Sequence, residues 1–281
     1  MSSSIRSELF FLKQYGFSSK FLEYIFVSGV DVIPSIFNPM DKNLLKYATK
    51  KDLALSKNKD KYYIFKLKLY NKDPFLQKNK DNKIFFKYDK SILNDLMPYD
   101  IRPLFMYAKG NYELLRGNLK VAIIGTRNPK DRSINIAKKI VTKYVHKNYL
   151  TVSGLAKGID TVVHEQTINE GGRTIAVLPT NFNRIYPKSN GKLAVNIERN
   201  GLLLSAIGPN EITYKSSFLE RNKYVANISD VIVVIETNLN SGTMNTIRNA
   251  YEANKKILFV DQLDEQINNK IKEYNGEMLN E

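Results

Sequence analysis

The residues of this 281-residue chain best equipped for chemistry are ones that hold anions, and few are of the kind that break bonds. Gly125-Thr126-Arg127 follows the apolar run 121–124, and Ser153-Gly154-Leu155-Ala156-Lys157-Gly158-Ile159-Asp160 follows the apolar run 150–152. The arrangement repeats. Pro179 to Lys188, ending in Asn183-Arg184-Ile185-Tyr186-Pro187-Lys188, follows 174–178, Ser205-Ala206-Ile207-Gly208-Pro209 follows 202–204, and Glu236 to Asn240 with Ser241-Gly242-Thr243 follows 231–235. Glycine lets backbone come close to a ligand, while N–H groups at a helix start together with a cation neutralise a phosphate. Ser241 or Thr243 at a helix start would add an N-cap hydroxyl. Each turn alone is ordinary loop chemistry, since glycine and serine are what tight loops need. Together they predict an anion-binding trough.

Equipment for covalent or metal chemistry is thin. No cysteine is present, which removes a thiolate nucleophile, a disulfide framework and a Cys-based zinc site. The two histidines, His146 and His164, fall on separate predicted helices. His164 follows Asp160 by four residues and shares its helix face, yet no nucleophile or paired carboxylate accompanies it, so a structural hydrogen bond is favoured over a general base. Neither G-x-G-x-x-G nor G-x-x-x-x-G-K-[ST] occurs, so the usual phosphate grips of dinucleotide and NTP enzymes are missing. The expectation is a protein with no catalytic group, no metal and no cofactor. Arg221-Asn222-Lys223 interrupts an otherwise apolar-periodic helix (Phe218, Leu219, Val225, Ile228) and places two cations beside the trough, a reading weighed evenly against a solvated face.

The elements that must position these residues alternate. Strands are predicted at 121–124, 150–152, 174–178, 202–204, 231–235 and 257–260, with helices at 133–147, 160–170, 192–199, 218–227 and 243–253. Near-continuous apolar strands separated by helices define a buried, mostly parallel sheet with right-handed crossovers and helices on both faces, an extended Rossmann-like α/β layout. Every unusual turn then lies on one edge of that sheet.

Ahead of this unit, residues 5–47 carry Leu9, Leu12, Phe17, Phe21, Leu22, Ile25 and Phe26 at helical spacing, with stops and caps at 16–19 and 28–31, which predicts a small helical domain. Residues 41–90 hold fifteen Lys against six Asp, interleaved with Tyr62, Tyr63, Phe65, Tyr70, Phe75, Phe85, Phe86 and Tyr88. Cations among rings can bind a single strand by phosphate contact and stacking. The plainer reading, rings toward a core and lysines in solvent, is preferred, and the stretch is assigned to linker and domain edge. Residues 92–96 read as a short helix and 103–107 as an extended lead-in. The predicted division is 1–85 helical domain and basic linker, 86–265 Rossmann-like domain, and 266–281 polar tail without a winged helix.

Hydrophobic content of 43% and charged content of 25% are ordinary for a folded protein. A formal charge of +15 is not, and it favours a polyanionic partner through a long-range field and counterion release. No apolar run approaches the ~20 residues that span a bilayer and the N-terminus lacks a signal-peptide pattern, so a cytoplasmic location and no membrane partner are expected.

The blocks 121–127, 152–160 with His164, 171–178, Ile185-Tyr186-Pro187, Phe218 with Arg221-Asn222, and Ser241-Gly242-Thr243 occur in the order and spacing of one family. Together with the lead-in 101–110 they closely resemble DprA (Smf), the DNA-processing protein family, over about residues 88–260. The resemblance implies a homodimer that binds single-stranded DNA without cutting it and protects incoming or processed strands. It also implies that the strand is handed to a RecA-type recombinase in DNA uptake, natural transformation and recombination. The DNA contact implied first is Arg127, followed by Lys188, Arg221 and Lys223, with Gly125, Thr126, Gly154 and Gly158 as backbone donors. Lys157, Ser241, Gly242 and Thr243 complete the predicted trough, and Phe182 or Tyr186 would stack bases. The helical N-terminus is only weakly similar to the family's SAM-like region. Departures are Ser205-Ala206 where the family usually has Ser-Glu, Arg221-Asn222-Lys223 for Arg-Asn-Arg, and Asp261-Gln262 for Pro-Gly. Two rivals stand beside this reading. One is a nucleotide sensor or nucleotide-processing enzyme of the related LOG-like group, whose Pro-Gly-Gly-x-Gly-Thr-x-x-Glu loop is absent, Asn240-Ser241-Gly242-Thr243 standing in a comparable place. The other is a DNA scaffold carried by the lysines between Asp41 and Lys90.

Overall fold

Six of the sheet's strands are almost wholly apolar, and in the computed structural model they sit where such strands must, in the interior. The structure describes residues 3–38, 42–70 and 82–279. Nine strands, β1 (Asn82–Phe86), β2 (Phe105–Gly110), β3 (Lys120–Ile124), β4 (Leu150–Ser153), β5 (Thr174–Leu178), β6 (Leu202–Ser205), β7 (Val231–Val234), β8 (Lys256–Phe259) and β9 (Gly276–Met278), form one open sheet in the order β1-β2-β6-β5-β4-β3-β7-β8-β9. From β6 to β9 all neighbours are parallel, whereas β1–β2 and β2–β6 are antiparallel. The order reverses between β3 and β7, so the loops after these strands splay apart and leave a crevice at their carboxyl ends.

The helices divide between the faces. Helices α8 (Asp131–His146), α9 (Ile159–Asn169) and α10 (Gly191–Asn200) bury Ala137, Val141, Val163, Leu193 and Ile197 on one face. Helices α11 (Lys215–Ile228), α12 (Gly242–Glu252) and α13 (Glu265–Lys272) bury Val225, Ile247 and Ile271 on the other, together with the short α7 (Leu93–Leu96). The predicted Rossmann-like layout with a helical N-terminal region is therefore observed.

The N-terminal helices α1 (Ser3–Tyr15), α2 (Ser19–Ser28), α3 (Val32–Phe37), α4 (Lys42–Leu45), α5 (Lys50–Ser56) and α6 (Lys59–Tyr70) build a second core around Leu9, Leu12, Phe17, Leu22, Ile25 and Tyr62. This core continues onto Phe86, Phe105 and Tyr107 of the antiparallel strands. Polar ties fix the join: Gln14 Nε2 donates to the Tyr107 hydroxyl at 2.7 Å, Lys13 pairs with Glu211, and Lys87 pairs with Glu23 at 2.8 Å.

Three stretches differ from the sequence expectation. The stretch around residue 85, assigned to linker, contains β1, in which Phe85 faces the sheet core and Phe86 faces the helical core, as successive strand residues must. The lead-in at 103–107 is β2, a full member of the sheet. Within the segment read as a polar tail, Ile267 and Ile271 give α13 one apolar stripe, Asp264 accepts from the Gln266 and Ile267 N–H groups at its start, and β9 closes the sheet. Of the rings in the basic stretch, Tyr62, Phe85 and Phe86 are buried, Tyr63 and Tyr70 are exposed, and Phe75 lies outside the described residues. Among the described residues no helix is long and apolar enough to cross a membrane.

Candidate functional site

The crevice at the carboxyl ends of β3, β4 and β7 is built by turns that lock one another. Glycine at 158 has φ +77, and a Cβ there would overlap the Thr126 carbonyl oxygen, so only glycine lets the two turns touch. They are tied by the Ile159 N–H, which donates to the Thr126 carbonyl at 3.1 Å. The Thr126 N–H donates to the Glu236 carbonyl at 2.8 Å, and the Thr243 hydroxyl donates to the Gly125 carbonyl at 3.1 Å. These bonds hold three separate strand ends in one rigid rim.

Asp160, 7% exposed, folds back under the second turn and accepts from the N–H groups of Gly154 at 3.1 Å and Ala156 at 3.3 Å. Its Oδ2 lies 3.9 Å from Nη1 of Arg221. Arg221 itself is only 6% exposed. Its Nη1 donates to the Val177 carbonyl at 3.2 Å, and its Nε finds no hydrogen-bond partner among the described residues. Burial pushes the guanidinium below its ordinary pKa, Asp160 opposes that shift, and the nearby Arg127 adds to it. Two cations that repel each other beside what is, among the described residues, a single carboxylate leave a site one anion short of balance.

The cavity so formed encloses about 350 Å³ and is lined by Gly125, Arg127, Arg221, Phe218, Ser241 and Thr243, among others. A smaller recess adjoins it, where Arg127, Lys157 and Arg221 meet the rings of Tyr186 and Phe218. The two rings meet edge to face with centroids 5.5 Å apart, and Tyr186 is 52% exposed, a flat ring presented at the mouth of a cationic pocket.

Of the residues expected from sequence, Gly125, Thr126, Arg127, Gly154, Arg221, Ser241, Gly242 and Thr243 line the cavity, and Lys157 lines the recess. Gly158 acts behind the rim as described. Lys188 is exposed in a short 3-10 turn after Pro187, and Lys223 pairs with Glu220 at 2.9 Å, and neither lines the cavity. The Ser241 hydroxyl is engaged by the Met244 N–H at 3.1 Å and by Thr237 Oγ1 at 2.8 Å, and the Thr243 hydroxyl by Gly125, so both hydroxyls brace the rim. Phe182 packs partly buried against two apolar clusters, whereas Tyr186 is presented at the pocket mouth. His164 is fully buried, with Nδ1 2.7 Å from the Thr174 hydroxyl, in a ladder that continues to Thr151 and Thr167. Burial drives its pKa down to about 3, so it is neutral and structural. Sequence reasoning missed Asp160 as the brace of the second turn and Phe218 as the ring behind Tyr186. The first is signalled by an acid six residues after a glycine that opens a βα turn. Among the described residues no cluster of His, Asp and Glu is suited to a metal ion.

An open, mostly parallel sheet whose switch point carries glycine-lined turns and converging cations defines a Rossmann-like protein with a cationic crevice at its strand ends. Residues 83–279 match the profile of the family described as DNA recombination-mediator protein A, and the chain belongs to that family. The DNA processing protein DprA of Streptococcus pneumoniae is 34% identical over 185 residues, a match that spans 64% of this chain and 65% of that protein, a little under two thirds of its length. A crystal structure of the S. pneumoniae DprA superposes with a TM-score of 0.69 at 28% identity, covering 98% of this chain and 94% of that one. The DNA processing protein A of Helicobacter pylori, solved for insight into its single-stranded DNA binding mode, superposes with a TM-score of 0.62 at 30% identity and covers 70% of this chain and 90% of that one.

Proposed function

We propose that this chain binds single-stranded DNA in the trough, shields it, and delivers it to a RecA-type recombinase, acting as a homodimer in the cytoplasm during DNA uptake and recombination and cutting no bond. The observation that carries the reading is the convergence of Arg127, Arg221 and Lys157 on a recess walled by Tyr186 and Phe218. Phosphates of a flexible strand can enter the cationic cavity while a base lies on the tyrosine ring, whereas a stiff duplex cannot unstack to do so. Membership of the family and the single-strand binding mode of the H. pylori protein support the same reading. The chain's +15 charge adds long-range attraction.

The test is a salt titration of oligo(dT), of duplex DNA and of mononucleotides against wild type and Arg127→Ala. The expected result is tight single-strand binding that falls steeply with salt, weak duplex binding, and a loss of about tenfold or more in Arg127→Ala with a salt slope shallower by about 0.7. Equal binding by wild type and Arg127→Ala overturns the proposal, and stabilisation by mononucleotides alone selects a nucleotide sensor instead.

A further inference from the structure

Helix α8 begins four residues after Arg127 and runs from the trough rim toward the opposite edge of the sheet. Its buried side is Ser133, Ala137 and Val141, packed with Ile140 and Tyr144 on β3 and β7. On a separate side stand Lys139, Lys143 and Lys147, all exposed. Residues four apart share a helix face and rise by roughly 6 Å. Arg132, two turns before Lys139, extends the same face to the rim, where its Nη1 donates to the Asp261 carbonyl at 3.2 Å.

The charge on this helix is strongly unbalanced. Among the residues of α8 the single acid is Asp131, against Arg132, Lys138, Lys139 and Lys143. Among the described residues no carboxylate pairs with Lys139, Lys143 or Lys147, while on another side of α8 His146 Nε2 lies 3.2 Å from Glu170, beside α9. By contrast α11, α12 and α13 each hold a pair within the helix or across its end, Glu220–Lys223, Glu252–Arg248 and Glu273–Lys270. Like charges one turn apart destabilise an isolated helix, so Lys139, Lys143 and Lys147, spaced one turn apart and paired with no carboxylate among the described residues, are suited to an external polyanion.

We infer that α8 is a second binding segment, a track for the phosphates of a single strand after it leaves the trough past Arg127. This rests on the reading of the trough given above. A strand held only in the crevice would occupy a few nucleotides, and Lys139, Lys143 and Lys147 add a ladder of about 12 Å, contacting backbone and no bases. Binding there is blind to sequence and strongly salt-dependent.

The experiment compares wild type, Arg127→Ala, the triple variant Lys139→Gln/Lys143→Gln/Lys147→Gln, and a control triple Lys57→Gln/Lys61→Gln/Lys68→Gln with the same change of charge on the helical unit. Each is titrated with oligo(dT) of about 6 and about 25 nucleotides over a range of salt, lengths that bracket common single-strand site sizes. Expected for the α8 triple is unchanged affinity for the short strand, a loss of about tenfold for the long one, and a long-strand salt slope shallower by about 2, from three lost contacts at ~0.7 each. The control triple should match wild type on both lengths, and Arg127→Ala should weaken both. The inference is overturned if the α8 triple matches wild type on the long strand, if both triples lose equally, or if the α8 triple changes the oligomeric mass instead of the slope. If wild type binds neither length, the trough reading and this inference both fall. If Arg127→Ala weakens both lengths and the α8 triple weakens neither, this inference alone falls.

Discussion

The guanidinium of Arg221 occupies the space that a side chain at position 154 would fill: a Cβ on Gly154 would overlap Nη1 and Cζ of that arginine. The glycine is therefore the socket of a buried cation, and the two residues, on the β4 turn and on α11, form one device. Gly154→Ala is expected to expel Arg221 or strain the turn at a cost of about 1–3 kcal/mol. Oligo(dT) affinity should fall with it. Arg221→Met removes the overlap, so the double variant should recover part of the stability while remaining unable to bind. Additive melting shifts across the four proteins would show that the contact is not what fixes the glycine.

Among the described residues Asp160 supplies the one carboxylate near the Arg221 guanidinium in the pocket floor, 3.9 Å away, while also accepting two backbone N–H groups. Both side chains are nearly dry, so Asp160→Asn leaves a buried cation without compensation. The expected cost in urea unfolding is about 3–5 kcal/mol. A small anion admitted to the cavity should replace the lost charge, so the gap between variant and wild type should narrow in sulfate relative to chloride at equal ionic strength. A gap independent of the anion would place the defect in the turn's hydrogen bonds alone.

How much of this was legible beforehand follows from what each element buries. β3 and β5 are apolar after their first residues, Lys120 and Thr174, because helices cover both faces, and such runs can be read directly. β1 was hidden because Phe85 and Phe86 serve two different cores and are flanked by Lys83 and Lys87, so its alternation resembles a basic linker. α13 and β9 were hidden by the polar composition of elements that cover only the sheet's last strands. At the site, the glycines and Arg127 were readable as turn chemistry, but the depth of Arg221 was not. Its local charged neighbours Glu220 and Lys223 are those of a solvated helix face, and the socket that buries it is supplied by a glycine far off in the chain. The hydroxyl of Thr243 looked like a free donor because its partner, Gly125, comes from another loop, and that of Ser241 because the fold of its own loop brings Thr237 onto it.

Tyr186 projects from the recess with Phe218 behind it, which makes the ring rigid as well as exposed. If bases stack there, Tyr186→Ala should weaken oligo(dT) binding by about 1–3 kcal/mol, whereas Tyr186→Phe should retain most of it. The salt slope should be the same in all three proteins, because no cation is lost. A change of slope in Tyr186→Ala would mean that the ring positions Lys157 or Arg127 and does not itself receive a base.

The buried imidazole of His164 predicts a pH dependence of stability with a definite sign. Burial holds its folded pKa near 3, against an ordinary value of 6.5. Between these values the unfolded chain binds one proton more than the folded chain, so stability rises with pH across the window and is lost as pH falls from 6.5 toward 3. The slope for one proton is about 1.4 kcal/mol per pH unit, so going from pH 6.5 to pH 5, where few carboxylates have begun to titrate, should cost about 2 kcal/mol from this group at most. His164→Gln offers Thr174 a polar partner without a titrating ring. It should be less stable than wild type at pH 7, yet lose less stability on acidification over the same interval. Urea midpoints at the two pH values decide the matter: parallel losses in the two proteins would show that His164 takes up its proton without unfolding the chain.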